Sequence, residues 1–549
     1  MWPAVFYSFL ALFLAGGASG QTWCGKNYMA SSPIVPPGGE FPIPATSSEP
    51  LVAFRCAPAI RPYLPEDTST PAVFIVDTPL THLKVDNAQA IDLPGHGALG
   101  DLAVTISVNG RIVAKENVPL NSTTAEVSFS LRTLTPQTKA FDVSCSAIYT
   151  ANKGKTQKFT ASSSLSFMPD PPKGRSVTKM DLRTGALLAK PATGEDGPYE
   201  TVFPIGFYTD FSSYIAANLS ILNDLKEQGF TVVHPVPTFD NLTALNAVVD
   251  RMQELGLYLM YDMRWTYMNA TNVTEEVNRI KNRPNLLLWY TGDEPDGTSD
   301  PLDATSNTYD LIYSLDGYHP VSLVLNCENF YWTEYTAGSD IVMQDTYMIG
   351  NNVTFSNQWG TVCTPDYGDC GCDNCKGEFE DISTRMDEFA ERLWVNGWDR
   401  TKAVWTVPQA FGGSSYWTRT PSGKEYVVQA VLGINHGGLG VVAWNDPTTP
   451  DIKASSSLLA KSLPTMKEFI LDPTATFSHV KVDRIDVGFW TVGKQTLLLA
   501  TNLNYAPKTF SLDGVHAGKN VRQVFDSGAT VSGREIVLES VGTGAFILS

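Results

Sequence analysis

A chain of 549 residues is too long for one ordinary domain and asks for about three or four. With 43% hydrophobic and only 17% charged residues it has the apolar content to build cores, which excludes a disordered or collagen-like chain. Its 39 Lys and Arg against 57 Asp and Glu leave a net charge of −18 with no basic run, which excludes the usual equipment for binding nucleic acid or an anionic membrane.

The first twenty residues carry no charge, an apolar run from Val5 to Ala15 and the small-residue ending Ala18-Ser19-Gly20. That pattern predicts a secretory signal peptide over 1–20 and a mature chain beginning near Gln21. No other apolar stretch reaches eighteen residues, so no membrane span is expected. Six Asn-x-Ser/Thr sequons, at Asn121, Asn218, Asn241, Asn269, Asn272 and Asn352, fit an extracellular, monomeric glycoprotein.

Residues 21–178 read as an N-terminal β-sandwich. The run Ala103–Val108, the turn Asn109-Gly110 and the run Arg111–Ala114 predict a hairpin. Ala125–Leu131, Phe141–Tyr149 and Gln157–Phe167 read as further strands.

Over 200–472 apolar runs alternate with amphipathic helical stretches. Strands are expected at Phe203–Tyr208, Phe230–Val233, Leu257–Tyr261, Leu286–Tyr290, Val321–Leu325, Asp340–Met343, Ala403–Val407 and Gly440–Trp444. Helices are expected between most of them, among them Leu242–Leu255, closed by Gly256, and Phe379–Val395. Eight βα units in about 270 residues imply a closed (β/α)8 (TIM) barrel. An open doubly wound sheet is the alternative, but no Gly-rich phosphate loop follows the first strand. Residues 475–549 return to short strands and read as a small C-terminal β domain, giving a multidomain α/β plus β architecture.

The eight cysteines split three and five. The group in Cys363-Thr-Pro-Asp-Tyr-Gly-Asp-Cys370-Gly-Cys372-Asp-Asn-Cys375 has spacings that also suit a zinc knot, but in an exported chain disulfides are favoured. Two odd groups require either one bridge between them or one free thiol in each, and Cys145 and Cys327 are the candidates for buried thiols.

In a barrel the chemistry sits where strands end at the C-terminal face. There is no His-x-His, no His-Glu-x-x-His, no Gly-x-Ser-x-Gly and no dinucleotide fingerprint, so no catalytic metal and no cofactor are expected. Carboxylates and aromatics remain: Asp262, Arg264 and Trp265 after strand three, Asp293 and Glu294 after strand four, Asn326, Glu328 and Trp332 after strand five, Asp345 and Tyr347 after strand six, Gln409 after strand seven and Trp444 at strand eight. Paired carboxyls and flat aromatic faces are the equipment for hydrolysing glycosidic bonds.

The string Trp289-Tyr290-Thr291-Gly292-Asp293-Glu294-Pro295-Asp296 resembles that of barrel glycoside hydrolases, whose acid/base Glu ends the fourth strand. The resemblance implies that Glu294 is a general acid/base acting on a carbohydrate. In the large retaining clan a nucleophile Glu follows strand seven, where this chain has Gln409. Two substitutes stay open. Either another carboxylate serves, with Asp345 preferred over Glu328 and Asp446, or Asp293-Glu294 works as in barrel hexosaminidases, with Asp293 orienting the substrate's acetamido group. Arg264, Trp265, Glu328, Trp332, Tyr347, Gln409 and Trp444 are the candidate substrate-binding residues. A non-catalytic carbohydrate-binding protein is the competing class. Carboxyls of Glu294 and Asp345 roughly 5–10 Å apart across one cleft would favour hydrolysis, and Glu294 confined to a helix cap would not.

Overall fold

The computed structural model describes residues 21–94, 96–151, 154–513 and 520–549. The expected signal peptide lies outside the described residues.

Near the N-terminus, a four-stranded antiparallel sheet (Arg111–Pro119, Asp101–Val108, Phe141–Thr150, Thr156–Leu165) shares one core with a three-stranded sheet (Ala125–Phe129, Ala72–Asp77, Arg55–Pro58). Alternation drives this packing: along Phe141–Thr150 every other side chain is buried. The Asn109-Gly110 turn has φ of 46° and 76°, the left-handed pair that a two-residue hairpin needs. The Cys56–Cys145 disulfide joins the two sheets across their core, so Cys145 is not the free thiol that its buried position suggested.

A second small sheet (Ile60–Arg61, Thr178–Asp181, Ala186–Ala189, Glu200–Val202) was not anticipated. Its Met180, Leu187 and Val202 belong to the same buried cluster as the barrel residues Val232, Met260, Met343 and Trp405. This sheet therefore joins the N-terminal sheets to the barrel interior.

The barrel closes with eight parallel strands in chain order: Ile205–Asp210, Val232–Val236, Tyr258–Asp262, Leu286–Asp293, Val321–Leu325, Ile341–Gln344, Ala403–Thr406 and Val441–Asp446. All eight were legible as apolar runs, because a barrel strand is covered by helices outside and by side chains within. Sequence-local caps set the helix ends. Asn241 accepts the backbone N–H groups of Thr243 and Ala244 to start Leu242–Leu255, and Gly256 (φ 67°) ends it. Ser422 and Glu425 form a capping box on Gly423–Asn435.

At the C-terminal end of the chain a six-stranded antiparallel sheet, from Thr476–Val482 to Glu535–Leu548, packs on the last two barrel helices. Its Trp490, Leu497, Phe525 and Ile547 join Tyr426, Val431 and Leu459 in one buried cluster. No helix among the described residues is long and apolar enough to cross a membrane.

The cysteine-rich stretch carries two local disulfides, Cys363–Cys370 and Cys372–Cys375, rather than a zinc knot. The fourth bridge, Cys24–Cys327, spans the two cysteine groups and removes Cys327 from the list of free thiols. It ties the short hairpin Thr22–Trp23/Lys26–Asn27 to the loop after strand five.

Candidate active site

Strand four reaches the mouth through an irregularity. Its pairing with strand five shifts between Tyr290 and Asp293, and Glu294 follows in the left-handed region at φ 54°. A non-glycine residue held there is strained and persists only where its surroundings fix it. The Glu294 N–H donates to the Val324 carbonyl at 3.1 Å, which anchors the turn. The helix-cap alternative fails, because the next α-helix begins at Ala304 and Glu294 lines an open cleft.

Three carboxyl groups meet on the floor of that cleft, which has a volume of about 580 Å³. The Asn326 side-chain amide donates to Glu294 Oε1 at 3.1 Å and to Asp345 Oδ1 at 3.3 Å. This shared amide holds the Glu294 and Asp345 carboxyls side by side. Burial, then the neighbouring Glu294 charge, raises the Asp345 carboxyl well above the ordinary aspartate range. Burial likewise raises Glu294, with the Asp293 charge adding to it and the hydrogen bond from Asp345 opposing it. The two titrate as a pair.

Asp293 is held differently. It accepts from Arg264 Nη1 at 2.6 Å and from the Tyr290 hydroxyl. Burial raises it and the Arg264 guanidinium opposes that rise. Arg264 is itself fixed by Asp262, to which its Nε donates at 2.7 Å, and lies over the Trp444 ring at 5.0 Å. His234 completes this buried chain with Nε2 2.8 Å from Asp262. Beneath the pair, Asp296 accepts from the backbone N–H groups of Gly297, Asn326 and Cys327, and burial still pushes it up to about 8.

The walls are aromatic: Trp23, Tyr28, Tyr208, Tyr347, Trp359 and Trp444, with Phe411, Tyr416 and Trp417 on one rim. Asp369 pins that rim by accepting from Trp359 Nε1 at 3.2 Å and from the Tyr416 hydroxyl. Trp23 Nε1 donates to Asn326 Oδ1 at 3.0 Å, and this bond orients the amide that both carboxyls use.

Of the ten candidate residues, the cleft brings together Glu294, Asp345, Asp293, Tyr347 and Trp444, and Arg264 braces Asp293 from below. Four are corrected. Trp332 is 1% exposed and packs on Phe41 and Phe389 in a core. Glu328 accepts from Asn374 Nδ2 at 2.6 Å and steadies the cysteine-rich loop. Gln409 is fully buried and bonds the Ile349 and Phe411 backbone, so it holds loops instead of substrate. Trp265 is 59% exposed and lines a separate pocket with Phe239 and Asp240. Sequence reasoning missed Trp23, Tyr28, Trp359 and Asp369.

The raised Asp345 carboxyl carries a stability consequence. Its folded value lies above its unfolded one, so the folded state loses stability as pH rises from the ordinary aspartate range through the raised value. Asp345→Asn removes that loss. The variant is expected to unfold at the same denaturant concentration as wild type near pH 4 and to be about 0.5–2 kcal/mol more stable near pH 8, as urea titrations at both pH values will read.

No protein-family model and no curated protein matches the chain. Among solved structures it is similar to an FMN-binding β-glucuronidase from Facaelibacterium prausnitzii L2-6 at 12% identity and a TM-score of 0.34, covering 90% of this chain and 70% of that one. A β-glucuronidase from Ruminococcus gnavus aligns at 12% identity and a TM-score of 0.34 over 73% of this chain, which spans only 61% of that protein. An Anoxybacillus α-amylase aligns at 13% identity and a TM-score of 0.40, covering 63% of this chain and 97% of that one.

Proposed function

We propose that this chain is a glycoside hydrolase in which Glu294 is the general acid/base and Asp345 the second catalytic carboxylate. The observation that carries the reading is the Glu294–Asp345 pair, two carboxyls on one amide donor on the floor of an aromatic-walled cleft.

The division of labour follows from exposure. Glu294 is partly open to the cleft, where a glycosidic oxygen would lie, and Asp345 is 3% exposed beneath it. Burial raises both carboxyls and favours retention of a proton, Asp345 most strongly, and a proton passed from Asp345 to Glu294 is the one given to the leaving oxygen. Its departure leaves Asp345 ionised and facing the anomeric carbon. Carboxyl oxygens that both accept from the one Asn326 nitrogen, at 3.1 and 3.3 Å, stand close together, which supports a retaining, covalent route over an inverting one. Arg264 favours the ionised form of Asp293 against the effect of burial, and a negative charge there would stabilise positive charge developing on the sugar ring.

The hexosaminidase-like reading is less well supported because each Asp293 oxygen already accepts a hydrogen bond, from Arg264 or from Tyr290. The non-catalytic reading rested on the missing carboxylate after strand seven, and Asp345 supplies one from strand six. A plant, fungal or bacterial wall polysaccharide or a glycoprotein glycan is the proposed substrate class. Four disulfides and six exposed sequon asparagines support an extracellular site of action.

Trp444 offers a ring face to a sugar. Trp444→Ala is expected to raise KM about 3- to 10-fold with a smaller effect on kcat, measured on whichever substrate a screen identifies. An unchanged KM would remove Trp444 from the binding surface.

A further inference from the structure

We infer that His436, His479 and Asp486 form a divalent-metal site of zinc type that clamps the C-terminal sheet to the barrel. His436 closes the helix Gly423–Asn435, at the end of the barrel opposite the mouth. His479 and Asp486 lie on adjacent antiparallel strands, Thr476–Val482 and Ile485–Val492. Lys481, two residues from His479, is the cross-strand partner of Asp486, so the two side chains stand on one face.

Their donor atoms converge. His436 Nε2 lies 3.1 Å and His479 Nε2 2.9 Å from the same oxygen, Asp486 Oδ2. Ligands around tetrahedral zinc, each about 2.0–2.2 Å from the metal, stand roughly 3.3 Å apart, so little movement separates this cluster from a coordinated one. Two imidazoles and a carboxylate are a donor set suited to zinc.

The surrounding bonds favour a metal over a plain ion-pair cluster. Metal-binding histidines donate their other ring N–H to a carboxylate or carbonyl, and ligating carboxylates are hydrogen-bonded in turn. Here His436 Nδ1 lies 2.7 Å from Asp387 Oδ1, and Asn435 Nδ2 donates to Asp486 Oδ1 at 2.8 Å. Both supports leave Oδ2 and the two Nε2 atoms turned toward one another. The His479 side chain is 26% exposed, so a fourth position is open to water.

The test uses the full chain, stripped with a chelator and titrated with ZnCl2 by calorimetry, alongside its unfolding transition with and without Zn²⁺. One equivalent is expected to bind and to raise the transition by a few degrees. His479→Ala is expected to weaken binding at least 100-fold. Asp387→Asn, at a 64% exposed side chain that folding tolerates, is expected to weaken it about 10- to 100-fold. Co²⁺ in place of Zn²⁺ should give the visible absorption of a tetrahedral site in wild type and not in His479→Ala. A wild-type protein that binds no Zn²⁺, or that binds it equally well in both variants, overturns the inference.

Discussion

Glu294→Gln is expected to lower kcat/KM on a natural glycan by about 10²- to 10⁴-fold, roughly 3–5 kcal/mol of lost transition-state stabilisation, with the fold intact. Gln keeps the shape and the bond to Asn326 but has no proton to give an alkoxide leaving group. The loss should therefore depend on the leaving group. A dinitrophenyl glycoside, whose phenolate departs without protonation, should lose far less in its glycosylation step than the natural substrate. The pH profile gives an independent reading. In wild type the retained proton leaves as pH rises through the raised range of the pair, producing a falling alkaline limb. In Glu294→Gln that limb should disappear. Uniform loss across leaving groups, with the limb retained, would assign the acid elsewhere, and Asp345 is then the first alternative.

The second large effect concerns the Cys24–Cys327 bridge. It closes a loop with a sequence separation of 303, against 3 for Cys372–Cys375. In the chain-entropy account, opening the long loop costs about 6 kcal/mol and opening the short one about 2 kcal/mol. A Cys24→Ala/Cys327→Ala variant is therefore expected to unfold at much lower urea than a Cys372→Ala/Cys375→Ala variant. It should also lose activity well below its unfolding midpoint. Releasing the hairpin withdraws Trp23 from Asn326, and Asn326 is the donor on which both carboxyls rest. Equal midpoints for the two variants would contradict this account of the bridge.

The barrel was legible because its signal is local. Each strand is an apolar run of four to eight residues, and each helix is marked by its own cap, as at Asn241 and Gly256. The strand-end carboxylates were legible for the same reason, since barrel topology delivers Asp293, Glu294 and Asp345 to one mouth wherever they occur in sequence. Aromatic roles were not legible. Trp332 follows one barrel strand and Trp444 lies near the end of another, yet one fills a core and the other faces the cleft, and nothing within a few residues of either distinguishes them. Gln409 stood where a nucleophile was sought, and its polar side chain serves backbone groups of buried loops instead.

What sequence reading missed arrived from far along the chain. Trp23 and Tyr28 reach the cleft from the N-terminal hairpin, carried by a disulfide whose only trace in the sequence is an odd number of cysteines in each group. The small sheet around Thr178–Asp181 was invisible for a related reason. Its strands have two to four residues, too short for a period to declare itself. The His436, His479 and Asp486 cluster likewise has no motif, because a helix end and two strands of another sheet assemble it.

The most direct measurement is release of reducing ends from a panel of wall polysaccharides, glycoprotein glycans and aryl glycosides by the purified chain, with Glu294→Gln assayed in parallel. Release from at least one substrate by the wild type, falling at least 100-fold in the variant, is the predicted result; equal release by both proteins, or none from any substrate, would contradict a glycosidase built on Glu294 and Asp345.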